Sequence, residues 1–174
     1  LLREALQIVE TRLVTVISEL ASFAARTASI PTLAYTHLQP AQPTTIGKRA
    51  CLWIQDLLLD LDEVERRLAR LQLLGAKGAT GTQAAFLQLF DGDASKVAQL
   101  DARVCDILGI SSPFPISGQT YTRKQDTLIF DTLTGIAGSA SKFAVDVRLL
   151  MAKEELLEPR ATTPKSGGPA RFWK

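Results

Sequence analysis

The sequence predicts an all-α fold, an elongated bundle of long helices that associates with further copies of itself. Apolar residues recur every three or four positions along three long segments, which is the spacing of helices packed side by side. Few loops separate these segments, and their apolar surfaces exceed what one chain of 174 residues can cover. With 46% hydrophobic and 22% charged residues, the composition is that of a folded globular chain.

The first helix is predicted from an unbroken apolar spacing. Its apolar positions step by four and three from Leu2 to Phe23, and the pattern ends near Thr27. A loop broken by Pro31, Pro40 and Pro43 follows.

A second helix is predicted after that loop, with Thr44 or Thr45 as its N-cap. Its apolar seam runs from Ala50 to Leu71. Because its first half is apolar on nearly every side, we expect that half to be buried among several helices, with Cys51 a buried thiol.

The middle of the chain is predicted to be shorter and less regular. Three glycines interrupt the periodicity in a loop over 75–83, and a short apolar segment covers 84–90. Asp93 or Ser95 then starts a third helix, which Gly109 closes in the usual C-terminal position.

The last long helix is predicted to begin near Tyr121 and to continue until Pro159 stops it. Roughly 37 residues at 1.5 Å each would reach about 55 Å. A stretch of small residues over 135–141 lowers helix propensity but lets neighbouring backbones approach closely, so we expect tight helix packing there.

Charge and composition exclude several classes of function. The 20 basic and 18 acidic residues are interleaved, so no basic stripe indicates a nucleic-acid surface. No apolar run reaches the ~18 residues that span a bilayer, and the N-terminus lacks the order of a signal peptide. Cys51 and Cys105 fit thiols in a reducing compartment, which predicts a cytoplasmic protein without membrane partners.

Cofactor chemistry finds no support in the pattern. No Cys/His or His/carboxylate cluster has metal-ligand spacing, and one histidine cannot supply the pairs that most transition-metal sites use. There is no Walker loop, and the glycines over 75–81 lie between helices rather than after a strand. We therefore expect neither metal nor nucleotide cofactor.

Polar residues concentrate in three loops at predicted helix ends. The first holds His37, the only histidine, whose imidazole is suited to giving or taking a proton near neutral pH. Their amides, hydroxyls and cations could hold a carboxylate or a phosphate, although capping and turn roles are the better explanation for any one loop taken alone. The loop residues are Thr36, His37, Gln39 and Gln42, then Lys77, Thr80, Thr82 and Gln83, then Ser117, Gly118, Gln119, Thr120, Tyr121, Arg123 and Lys124.

These three loops carry a specific resemblance. The segments Thr-His-Leu-Gln-Pro-Ala-Gln over 36–42 with Gly-Lys-Arg over 47–49, Lys-Gly-Ala-Thr-Gly-Thr-Gln-Ala over 77–84 and Gly-Gln-Thr-Tyr-Thr-Arg-Lys over 118–124 occur in this order. They resemble the adenylosuccinate lyase family of the fumarase/aspartase superfamily, close to the animal-type enzymes. The similarity covers about residues 1–159, which predicts a central helical domain there, with the family's N- and C-terminal domains absent.

The resemblance implies a reaction and an assembly. The family releases fumarate by β-elimination from adenylosuccinate, giving AMP, and from the succinylated imidazole carboxamide nucleotide SAICAR, giving AICAR, in purine synthesis. It needs no cofactor. In the superfamily each active site is built from three subunits of a homotetramer.

The resemblance also assigns roles to residues. His37 is the general acid that protonates the departing nitrogen, Thr36 lies beside it, and Gln119 contacts the substrate. This agrees with chemistry, because an amine leaves poorly unless it is protonated, and donors must stabilise the charge that builds on the succinyl group. Weaker candidates for substrate binding are Lys77, Thr82, Gln83, Lys48 and Arg123, of which the last two also fit ion pairs or loop anchors.

The sequence departs from the family after Pro159. There the family carries its general-base serine, in a loop that continues into a Met-Pro-Tyr-Lys-Arg-Asn-Pro signature, which is absent here. Ser166 lies beside two glycines but lacks the flanking residues, so it fits a polar tail over 160–174, predicted to be disordered, better than a catalytic loop. Since the chain also begins with Leu1 in mid-helix and lacks an upstream histidine segment, we expect a piece of a longer polypeptide that is inactive alone.

Two other hypotheses remain open at this level. The chain could be a truncated, inactive paralogue that serves as a helical oligomerisation module. A coiled-coil-like scaffold would explain the apolar seams but leaves the three polar loops without a role.

Overall fold

The fold was described from a computed structural model, in which residues 1–157 are described. Three long helices, α1 (Leu2–Arg26), α2 (Ile46–Ala69) and α5 (Lys124–Ala152), form the bundle, and α3 (Ala84–Leu89) and α4 (Ala94–Leu108) are shorter. Four strands, β1 (Pro31–Thr36), β2 (Gln39–Thr45), β3 (Gln72–Leu73) and β4 (Ser112–Pro113), make two small sheets. The predicted helical class is confirmed, and the predicted tail over 160–174, with Ser166, lies outside the described residues.

Helix α2 runs antiparallel to both α1 and α5, as two buried clusters show. At one end, Ala24 of α1, Trp53 of α2 and Leu150 of α5 share a cluster. At the other end, Leu6 of α1, Leu71 after α2 and Ile129 of α5 share a second one. The bundle therefore has two distinct ends, and each is built from all three long helices.

Specific contacts fix how closely these helices approach. A Cβ at Gly47 would fall on the carbonyl oxygen of Ala24 and 2.7 Å from Cα of Ala28, so only glycine fits where α2 begins against α1. On the other side, the Trp53 indole Nε1 donates to Asp146 of α5 at 2.9 Å, and its ring meets Phe143 edge to face.

The predicted helix limits are largely confirmed. Helix α1 ends before Thr27, and the Thr45 hydroxyl accepts a hydrogen bond from the Lys48 backbone N–H as the N-cap of α2. The Asp93 side chain caps α4, and Gly109, with φ 62°, ends it.

Three predictions from the sequence are corrected. The proline-rich segment is an antiparallel hairpin of β1 and β2 rather than a loop, and its prolines are tolerated because a two-stranded sheet consists of edge strands. Helix α5 begins at Lys124 and has 29 residues, ending at Ala152 rather than at Pro159. In the single chain Cys51 is exposed, because it lies on a face of α2 that neither α1 nor α5 covers.

The first half of α2 is also less buried than predicted. Leu52, Leu58 and Leu59 are exposed, the last of them by 66% of its surface. Helices α1 and α5 cover only part of this apolar surface, and large apolar residues are exposed on them too, including Phe130 at 67%. In residues 1–157 no helix is both long and apolar enough to cross a membrane.

Candidate functional site

The tip of the β1–β2 hairpin carries His37. Thr36 pairs with Gln39, so His37 and Leu38 form a two-residue turn, and both have positive φ, at 53° and 61°. Two successive residues with positive φ are typical of a type I′ turn, whose twist suits a hairpin. The turn places the imidazole at an exposed position on the end of the hairpin.

A partly buried ion pair holds the hairpin against the bundle. Oε2 of Glu155 accepts hydrogen bonds from Nη1 of Arg49 at 2.8 Å and from the Thr32 hydroxyl at 2.7 Å. Nη2 of Arg49 donates to the Leu33 carbonyl oxygen at 2.7 Å. Strand β1, the start of α2 and the segment after α5 are thus joined through one carboxylate.

The same group of residues perturbs two pKa values. Burial acts to raise the pKa of Glu155, but hydrogen bonds from Arg49, Thr32 and Tyr35 outweigh it, and the pKa is lowered. The hydrogen bond with Glu155, followed by burial, raises the pKa of the Tyr35 phenol. Glu155 is therefore held in its charged form.

Lys153 contacts the hairpin close to its turn. Its Nζ is 4.1 Å from the centroid of the Tyr35 ring and donates to the Leu38 carbonyl oxygen at 3.4 Å. A cation thus lies directly beside the turn that carries His37. Lys48, by contrast, is exposed in the first turn of α2.

At the opposite end of the bundle, Asp101 of α4 organises the glycine-rich loop over 75–83. Its carboxylate accepts from the Ala76 backbone N–H at 2.6 Å, from Nε2 of Gln83 at 3.0 Å and from Nζ of Lys77 at 3.4 Å. The Lys77 side chain is only 8% exposed. In the single chain the candidate side chains of Lys77 and Gln83 therefore both form hydrogen bonds with Asp101.

The glycine-rich loop packs against the loop that carries Gln119. The Gly78 N–H donates to the carbonyl oxygen of Thr82 at 2.7 Å, which closes a tight turn. Gly81, with φ 82°, lies so close to Ser117 that a Cβ would collide with its carbonyl oxygen. The exposed residues Thr82 and Gln119 thus lie on two loops in direct contact.

Arg123 lies just before α5. Nη1 contacts Asp126 at 3.2 Å, and the guanidinium stacks on the Tyr121 ring at 4.9 Å from its centroid. The hydrogen bond from Arg123 to Asp126 raises the pKa of Arg123, and the separate hydrogen bond from the Tyr121 phenol to Asp126 is the main cause that raises the pKa of Tyr121. The Arg123 side chain remains 67% exposed and accessible to an anion.

The candidate residues therefore fall into two groups at opposite ends of the bundle. One group adjoins the start of α2, and the other adjoins β3, where the Gln72 N–H donates to the Gln125 side chain at 2.9 Å. Helix α2 extends from one group to the other, and its 24 residues span about 36 Å, so the two groups lie about that far apart. The first group comprises Thr36, His37 and Lys48, and the second comprises Lys77, Thr82, Gln83, Gln119 and Arg123.

Sequence reasoning missed the residues that hold these groups in place. Arg49 directly follows Lys48 in one of the segments that resemble the family, so its position could have marked it as a candidate. Nothing in the sequence marked Glu155, because the apolar spacing predicts that α5 continues beyond it. Asp101 could have been found as an acidic residue one turn from the buried Cys105 on α4.

Comparisons with known proteins identify the family. A family model described as a lyase matches residues 1–168. Adenylosuccinate lyase from Saccharomyces cerevisiae is 49% identical over 158 residues, which are 91% of this chain and 33% of that protein. Adenylosuccinate lyase from Schistosoma mansoni is 44% identical over 163 residues, covering 93% of this chain and 34% of that protein. The chain thus spans about a third of the length of these relatives.

A solved structure supports the same fold. The 3-carboxy-cis,cis-muconate lactonizing enzyme from Pseudomonas putida is 27% identical, with a TM-score of 0.75 over 97% of this chain and 36% of that chain. The arrangement of long antiparallel helices is thus a shared architecture. Taken with the match over residues 1–168, it shows that the chain belongs to the lyase family, with adenylosuccinate lyases among its relatives.

Proposed function

We propose that this chain is the central helical segment of an adenylosuccinate lyase. The substrates proposed are adenylosuccinate and SAICAR, from which β-elimination releases fumarate and gives AMP and AICAR. The observation that carries this proposal is the 49% identity to the yeast enzyme over 158 residues, which include all three polar loops.

In the proposed reaction His37 acts as the general acid. A base removes a proton from the succinyl carbon, the electron pair of that C–H bond forms the new double bond, and the carbon–nitrogen bond breaks. The departing nitrogen takes its proton from the His37 imidazolium, which general acid catalysis requires because an unprotonated amine is a poor leaving group. The exposed position of the ring on the hairpin tip supports this role, since a nucleotide can reach it.

The second group of residues is proposed to bind the anionic parts of the substrate. Gln119 and Arg123 are exposed, and a guanidinium binds carboxylates and phosphates well. Thr82 adjoins them on the contacting loop. Lys77 and Gln83 support them indirectly, because both side chains are engaged by Asp101. Thr36 and Lys48 adjoin the His37 end.

Because about 36 Å separate the two groups in one chain, the proposed site requires several copies. We propose a homotetramer in which His37 of one copy meets Gln119 of another. The exposed apolar residues on α1, α2 and α5 support association through these helices. We also propose a cytoplasmic location and a reaction without a cofactor, with a small-molecule substrate and no nucleic-acid or membrane partner.

A chimera tests the assignment of His37. The matched segment of the Saccharomyces cerevisiae enzyme is replaced by this chain's aligned residues, and fumarate release from adenylosuccinate is followed by absorbance. His37→Gln, which cannot donate a proton as an imidazolium does, is expected to lower kcat by about 10²- to 10⁴-fold. Gln99→Ala, on the exposed surface of α4, serves as the control and should leave kcat unchanged.

Two outcomes would redirect the proposal. Near-normal fumarate release by the His37→Gln chimera would remove the general acid assignment. A chimera that assembles as the yeast enzyme does but releases no fumarate would favour the alternative, an inactive paralogue acting as an oligomerisation module, which the exposed apolar helix faces also suit.

A further inference from the structure

The segment after α5 turns back sharply onto the hairpin that carries His37. Glu154 adopts a left-handed conformation with φ 60°, and its N–H donates to the Met151 carbonyl oxygen at 3.0 Å. The Glu155 N–H donates to the Leu150 carbonyl oxygen at 3.0 Å, which completes a Schellman motif. This turn ends the helix and directs the Glu155 side chain back toward strand β1.

The Glu155 carboxylate is the common acceptor for the base of the hairpin. Thr32 and Arg49 donate to the same oxygen at 2.7 and 2.8 Å. The Glu155 and Arg49 side chains are only 17% and 15% exposed, so water cannot readily replace either partner. Removing the carboxylate would leave the Arg49 guanidinium partly buried without its counter-charge.

A two-stranded hairpin is only marginally stable without support from the rest of the fold. Here β1 is tied to the bundle through Thr32 and Leu33, both of which bond to the Glu155–Arg49 pair. Any change in the tilt of this hairpin moves its tip, which is where His37 lies.

We infer that Glu155 is a positioning residue for His37, acting through Arg49 and Thr32 to fix the hairpin on the bundle. The effect of Glu155 on catalysis rests on the proposed function, in which His37 is the general acid. A general acid must lie within hydrogen-bond reach of the leaving nitrogen. A displacement of about 1 Å can cost on the order of a hundredfold in rate. Glu155 itself needs no contact with the substrate.

The structural part of the inference is tested on the full 174-residue chain. Glu155→Gln should raise amide hydrogen exchange in β1 and β2 by at least about tenfold while exchange in the middle of α2 stays unchanged. Because His37 is the only histidine, a ¹³C label on its ring gives one signal, and that signal should shift in the variant. Glu154→Gln, the same change on the adjacent exposed residue, should alter neither measurement.

Thr32→Val provides a milder variant, since it removes one hydrogen bond to Glu155 and keeps the shape of the side chain. It should give the same pattern of exchange and the same direction of shift at smaller amplitude. If Glu155→Gln does not fold, this variant decides the question by itself. Unchanged exchange in the hairpin and an unmoved His37 signal would overturn the inference.

The catalytic part is tested in the yeast chimera. Glu155→Gln should lower kcat roughly tenfold to a hundredfold and change KM by less than about threefold, since substrate binding does not depend on the acid. Glu154→Gln should retain the parent kcat. If His37→Gln abolishes activity but Glu155→Gln leaves kcat intact, the inference fails and the proposed function stands. If His37→Gln retains activity, the general acid role given to His37 in the proposed function fails, and the exchange experiment decides the inference separately.

Discussion

Two carboxylates, Asp101 and Glu155, hold the polar segments at the two ends of the bundle. Asp101 accepts three hydrogen bonds and Glu155 accepts two, and each carboxylate pairs with a cation that is largely buried. Removing one partner of such a pair is costly, because the other charge is then left desolvated and unpaired. Individual side chains therefore decide where the loops lie.

The charge on Glu155 makes the stability of the hairpin depend on pH. Its folded pKa is lowered below the ordinary value of 4.5, so its contribution is fully present above that value and is lost as pH falls through the folded pKa. The pKa of the neighbouring Tyr35 phenol is raised above its ordinary value of 10.0, so this group stays neutral throughout that range. The thermal unfolding temperature of the parent should thus exceed that of Glu155→Gln at pH 7, and the difference should shrink toward pH 3.

Circular dichroism melts at several pH values measure this difference. The pKa of Glu63 is also lowered, so its protonation destabilises both proteins as the pH falls. This effect is the same in both and cancels in the comparison. A difference that stays constant or grows as pH falls would contradict the role given to the charge.

At the scale of single residues, the sequence pointed to His37 as a candidate but not to the residues that support its hairpin. Its uniqueness and its place between Thr36 and Gln39 are visible without coordinates. Glu155 and Asp101 act through contacts with residues 123 and 25 positions away, respectively, and no local pattern encodes such pairings.

At the scale of elements, helices were predictable where local rules apply. Thr45, Asp93 and Gly109 cap their helices by contacts within a few residues, and the apolar seams fix the buried faces. The hairpin and the end of α5 were not predictable in this way, because His37, Leu38 and Glu154 adopt positive φ without being glycine. Tertiary contacts, rather than local preference, hold these turns.

The approach of α1 to α2 supplies a prediction about Gly47. An alanine there would place its methyl group against the backbone of Ala24 and Ala28, which cannot yield as a flexible side chain does. We expect Gly47→Ala to lower the free energy of unfolding by about 1–3 kcal/mol, measured by urea denaturation.

Gly118→Ala is the matched control, since the described part of the chain places no atom within 4 Å of the added methyl group. It should change the stability by less than about 0.5 kcal/mol. Equal stabilities for the two variants would show that α1 and α2 do not meet at Gly47 as described.

At the scale of the whole molecule, the bundle separates the candidate residues. His37 lies where α1 ends and α2 begins, whereas Gln119 precedes the start of α5 at the other end. The large exposed residues on the long helices, such as Leu59 and Phe130, offer surfaces through which copies could associate. The sequence predicted this excess of apolar surface, but it could not show that the candidate residues lie about 36 Å apart.

Complementation between two inactive chimeras tests the shared site most directly. One carries His37→Gln and the other Gln119→Ala, and each is expected to be nearly inactive alone. When the two are unfolded together, mixed in equal amounts and refolded, about a quarter of the sites should combine an intact His37 with an intact Gln119 from another copy. Fumarate release should recover to about that fraction of the parent chimera, whereas a mixture as inactive as its two components would contradict a site shared between copies.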